Sequence, residues 1–179
     1  MIPYIEVNRV VDTTLLLFQE HDAIFNTIIS AYCGPRKMTY FKGIRKFIAQ
    51  SNTPAIEIGP VSDSPKWFAT RTIGSQIQLE IHLTIAAYEP AIAMDLEGKL
   101  VALATKILTS PSSLRRPIAG TLSTIYDGEL PSVRFGAAKS RGDIRVSELS
   151  WGPKILVYLS DEDFPEEILR GGPTPICRS

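Results

Sequence analysis

Two histidines, two cysteines and a few clustered charges are all this sequence offers to catalysis or metal binding. His21 falls in the middle of a helical pattern, and His82 on the polar side of an alternating one. Neither has a second ligand at metal-binding spacing. Cys33 and His21 would supply a thiol and a base, but twelve residues of separation give them no reason to meet. Cys33 and Cys177 form no metal or redox motif, and their remoteness argues against a structural disulfide. Asp161, Glu162, Asp163, Glu166 and Glu167 could ligate a hard cation. They lack the alternate spacing and glycine of a calcium loop, so a solvated tail is the simpler reading. Neither a Walker pattern nor Gly-x-Gly-x-x-Gly nor Gly-x-Ser-x-Gly occurs. Arg115 and Arg116 could hold a phosphate, although an exposed pair on a loop reads better as a contact with another subunit. The expectation is a protein without catalytic residues, metal or cofactor, and not an enzyme.

One segment has the composition of a nucleic-acid patch. Residues 36–47 carry Arg36, Lys37, Lys42, Arg45 and Lys46, no acid, and the aromatics Tyr40, Phe41 and Phe47. The net charge of the chain is zero, with eight basic and eight acidic residues through position 90 and eleven of each beyond it. That balance disfavours coating DNA or an anionic membrane. A short amphipathic segment near 40–49, with Phe41, Ile44, Phe47 and Ile48 buried, explains the same residues. If DNA binding does occur here, it should weaken steeply with salt.

The elements that must position these residues centre on 71–88. Every odd position from Ile73 to Ala87 is apolar except Ser75, whereas Thr72, Gln76, Gln78, Glu80, His82 and Thr84 occupy even ones. A period of two places these sets on opposite faces of a strand. At ~3.3 Å per residue the strand would reach roughly 55–60 Å, more than one domain needs. It should either bend near Gly74-Ser75 or extend toward a neighbour. Upstream, apolar residues at three- and four-residue spacing predict a helix over 8–32, kinked at His21-Asp22, stopped by Gly34-Pro35 and covered on more than one face. Pro54–Pro60 reads as a short strand and Ser62–Lys66 as a turn, with Trp67 opening the long strand.

Downstream, Leu96, Leu100, Leu103 and Ile107 stripe a helix over 93–109, with Asp95 and Glu97 placed to favour its dipole. Residues 110–143 read as an inserted arm that orders against a neighbour, with a small hairpin at Asp127-Gly128. On that reading, deleting 112–141 leaves a folded monomer that no longer assembles. Strands at 144–149 and 154–159 close the sheet. The fold class is therefore α+β: a mostly antiparallel sheet with a long central strand, two main helices and an extended arm. With 179 residues, 44% hydrophobic and 21% charged, one domain over 1–160 is expected, followed by an acidic, partly ordered tail over 161–179. The start, Met-Ile-Pro-Tyr-Ile-Glu, lacks the regions of a signal peptide, and no 18-residue apolar run occurs. A cytosolic origin and no membrane partner are expected.

The helix 8–32, Pro54-Ala-Ile-Glu-Ile-Gly-Pro60, the alternating strand 67–88, the helix 93–109 and the strand near 154–159 together resemble the tail terminator family of long-tailed bacteriophages. Its relatives include tail-completion and neck proteins, and the likeness covers most of residues 7–159. It implies a virion protein, assembled in the host cytoplasm, that forms a six-membered ring. Such a ring stops tail-tube growth and faces the head-side neck. The implied partners are further copies of the chain, the tail tube protein, the sheath where one exists and a neck protein, with DNA only passing through the lumen. The family brings no catalytic residues to carry over. The nominated contact residues are Gln76, Gln78 and Glu80 on the strand, and Arg115, Arg116, Arg134 and Arg141 on the arm.

Overall fold

The computed structural model describes residues 7–46, 48–69, 72–86, 89–111, 113–118, 121, 123–136 and 144–158. Among these residues, three α-helices lie with a seven-stranded, largely antiparallel sheet, which is the expected α+β class. The central strand is β3, Thr72–Ala86. It pairs on one side with β2, Ala55–Ala69, and on the other with β6, Ile144–Trp151, and β7, Pro153–Tyr158. β6 and β7 follow β3 in a single register, Ala86↔Ile144 through Leu79↔Trp151 to Thr72↔Tyr158, so they are one strand line interrupted at Gly152. Gly152 keeps that line low: a Cβ there would lie 3.0 Å from Gln78 Oε1 and 3.1 Å from Gln76 Nε2.

The strand around Pro54–Pro60 does not stop at a turn. β2 continues through Ser62–Lys66 and pairs with β3 as far as Ala69↔Thr72. Register shifts at Pro60/Ser62 and Trp67/Ala69 put the irregularities on β2, and β3 pairs through Gly74-Ser75 without one. Each bulge absorbs an extra residue and adds twist, so the Ser-Asp-Ser-Pro turn chemistry is overridden by cross-strand pairing. Ser75, the polar exception among the odd positions, is buried and donates its hydroxyl to Asp63.

The predicted first helix is two helices, α1, Val7–Gln19, and α2, Asp22–Cys33. At the break the His21 Nδ1 lies 2.9 Å from the Leu17 carbonyl, and the Phe18 and Phe25 rings meet at 6.1 Å across the corner. Coverage on several faces holds for neither helix: α2 buries only Phe25 and Ile29, and Leu16 and Ile24 are exposed. Asp12 of α1 pairs with Lys42 at 2.7 Å. α3, Pro90–Leu108, buries Leu96, Leu100 and Ile107 of its predicted stripe together with Ala104, whereas Leu103 is half-buried. These side chains join Ile56 and Ile58 of β2, Ile77, Leu79, Ile81, Leu83 and Ile85 of β3, and Leu149 and Trp151 of β6 in one core.

In the basic segment Ile48 is buried and Phe41 and Ile44 are half-buried, while Phe47 lies outside the described residues. The segment's centre is β1, Thr39–Lys42, parallel to Ala55–Ile58 of β2. The described part of 110–143 also belongs to the chain's own fold. β4, Thr124–Gly128, pairs with β7, and β5, Ser132–Arg134, pairs with β6. The two do not form the expected hairpin with each other. Ile118 and Ile125 are core residues, so deleting 112–141 removes two strands and core packing, and unfolding is the expected result rather than a folded monomer. Residues 161–179, the acidic tail, lie outside the described residues.

Candidate functional site

The face of the sheet opposite α1 and α3 gathers most of the chemistry-bearing side chains. Strand register sets Glu57 beside His82, His82 beside Glu148, and Glu148 beside Arg134, a row across β2, β3, β6 and β5. Glu80 is two residues along β3 from His82 and therefore on the same face. His82 is 3% exposed, not on a wet face. Its Nε2 is 2.5 Å from Glu80 Oε1 and 3.9 Å from Glu148 Oε1, and Arg134 Nη1 is 3.6 Å from Glu148 Oε2. Glu57, also buried, accepts the Arg45 backbone N–H at 2.7 Å. The sequence hides this row because it depends on strand register, and Glu148 lies 66 positions from His82.

Further along the same face, Gln76 donates to Glu129 at 2.9 Å, Gln78 to Ser150 at 2.5 Å, and Lys154 to Asp127 at 3.1 Å. The seven nominated contact residues are therefore not one patch. Gln76, Gln78, Glu80 and Arg134 share the open sheet face. Arg116 instead grips Glu20, just past α1, through Nη1–Oε2 at 2.8 Å and Nη2–Oε1 at 2.5 Å. Arg115 is exposed with φ 75°, and Arg141 lies outside the described residues.

The Arg116 bridge holds the Glu20 carboxyl below its usual range, chiefly through the hydrogen bond itself. A depressed carboxyl contributes stability above its unfolded value of about 4.3, and that contribution is lost as the pH falls through the folded value. Glu20 is half exposed, so solvent screening limits the bridge to about 0.5–1 kcal/mol. Arg116→Ala should lose that amount in urea unfolding at pH 7. The difference from the parent should vanish in acid.

The basic segment is partly committed within the chain. Lys42 pairs with Asp12, and the Arg45 guanidinium stacks 3.8 Å from the Phe41 ring centre. Lys37 and Lys46 are exposed and Arg36 is half-buried. Cys33 and His21 stand at opposite ends of α2, roughly 18 Å apart by helical rise. Burial pushes the Cys33 thiol up, the opposite of what a thiolate nucleophile needs. Among the described residues, no helix is long and apolar enough to cross a membrane.

The sequence matches no protein-family model and no curated protein. Among solved structures, the fold is similar to a chain described as "Virion of native gene transfer agent (GTA) particle". The TM-score is 0.42 at 10% identity, over 78% of this chain and 91% of that one. A likeness of that degree assigns neither family nor role.

Proposed function

We propose that this chain is a structural protein of a phage-like virion that acts by assembling into a head-to-tail ring, as a tail terminator or a neck protein does, and not by catalysis. The observation that carries this reading is the outer edge of β2. Beyond Ile58, β2 pairs with β3 on one side and, among the described residues, with no strand on the other. At the opposite margin of the sheet β5, among the described residues, pairs only with β6, and the neighbouring Leu130 and Phe135 are 82% and 58% exposed. An open edge offers backbone hydrogen bonds to an added strand. Two different margins joining produce a heterologous contact, and such contacts close into rings when the rotation allows. In this reading one ring surface meets the end of the tail tube and the other the neck.

Light scattering and negative-stain imaging of the purified chain, alone and mixed with tail tubes, test the proposal. The expected species is about six copies of a 19.8-kDa chain, roughly 119 kDa, with a central hole. Val61, 59% exposed at the first β2 bulge, supplies the matching variant. Val61→Lys puts a charge on the open edge and should leave a folded monomer while abolishing the ring. A chain that stays monomeric with and without tubes would rule the ring out.

A further inference from the structure

We propose that Glu80, His82 and Glu148 form a binding site for one divalent first-row transition ion, with Zn²⁺ the fitting probe. One ligand atom from each residue lies within 4.8 Å of the others. The three stand on two strands paired in fixed register, His82 opposite Glu148 and Glu80 two residues along. Around an ion with bonds of ~2.1 Å, neighbouring ligand atoms sit about 3–3.5 Å apart. The present separations from the imidazole nitrogen, 2.5 Å and 3.9 Å, straddle that value. Small rotations of two glutamates would equalise them. Those side chains are the more exposed ones, 39% and 25%, whereas the imidazole is 4% exposed and held by the sheet.

The donor set decides the class of ion. One imidazole nitrogen with two carboxylates suits Zn²⁺, Co²⁺ or Mn²⁺ and not soft, thiolate-seeking ions. Two carboxylates also neutralise a divalent charge. Magnesium, which demands oxygen ligands in a near-ideal octahedron, should compete poorly. The partly exposed side of the cluster leaves positions for water. Arg134, 3.6 Å from Glu148 Oε2 and 77% exposed, opposes the ion through its charge.

The test uses the full chain, stripped by a chelator, with calorimetric titration of Zn²⁺ and visible absorption of Co²⁺. One ion per chain is expected. Glu148→Gln should weaken binding about 100-fold, at or beyond the 10–100-fold that loss of an outer partner costs. Arg134→Ala removes a nearby cation from an exposed position and should tighten binding roughly three- to tenfold. That gain is not expected of a cluster that serves only as internal ion pairs. Absence of heat and of Co²⁺ absorption up to millimolar metal overturns the proposal. So does binding left unchanged by both Glu148→Gln and Glu80→Gln, since the ion would then sit elsewhere, for example on the acids of 161–167. All three ligands belong to one chain, so the result is independent of whether a ring forms.

Discussion

Trp151→Ala should cost about 3–5 kcal/mol, seen as a large drop in the urea midpoint with little change in slope. The indole is 1% exposed and the largest fully buried side chain among the described residues. It stands at the end of β6, opposite Leu79, where the strand line passes through Gly152 into β7. The surroundings are shaped to it: a Cβ on Gly128 would lie 3.1 Å from the indole Nε1. β4 therefore approaches this closely because residue 128 has no side chain. Truncation removes the transfer energy of the ring and leaves a void that paired strands on both sides cannot collapse to fill. Trp151→Phe keeps most of the volume and should cost about 1–2 kcal/mol. If alanine costs under 1 kcal/mol, the indole is not packed as described.

Glu97→Ala should cost about 2–4 kcal/mol, for an electrostatic reason. Glu97 is 2% exposed on the sheet-facing side of α3. Its Oε2 accepts from Arg145 Nε at 2.9 Å, while Oε1 accepts from the Ser147 hydroxyl and from the Gly136 N–H at 3.3 Å. One carboxylate thus ties α3 to β6 and to the turn after β5. Alanine leaves a wholly buried hydroxyl and a two-thirds-buried guanidinium without that acceptor. Glu97→Gln, which retains the shape but not the charge, should cost less, about 1–2 kcal/mol. Removing Arg145 as well should recover part of the loss, because the penalty lies mainly in the abandoned cation. Strictly additive single and double variants would mean that the two groups do not interact.

Glu97 also shows where reading the sequence fell short. The helix was expected to start at residue 93, with Glu97 favouring its dipole. α3 begins at Pro90 and has no acid in its first turn, and only the strand beneath reveals the buried partners of Glu97. The features that were legible were periodic. Alternation from Ile73 to Ala87 gave β3 and its core face, and the Leu96–Leu100–Ile107 stripe gave α3. Local turn chemistry misled twice, at Ser62–Lys66 and at Asp127-Gly128. In both places pairing with a distant strand outweighed it: β3 captured β2, and β7 captured β4. No metal site was expected at His82, and its cluster with Glu80 and Glu148 forms only through strand register. The long strand was expected to bend or to reach toward a neighbour, but β3 is paired on both sides over its length. The open edges lie on β2 and β5, and the internal anchoring of β4 and β5 was not anticipated either.

The single register of β6 and β7 has a consequence for how the chain is made. β2 and β3 are joined by two residues and can zip together as soon as they are synthesised. The line that covers the other side of β3 ends at Tyr158, 72 residues after Ala86. At 5–20 residues per second, a ribosome leaves that side of β3 bare for roughly 4–15 s. During this interval the nascent hairpin is a template for any passing strand, its own siblings on neighbouring ribosomes included.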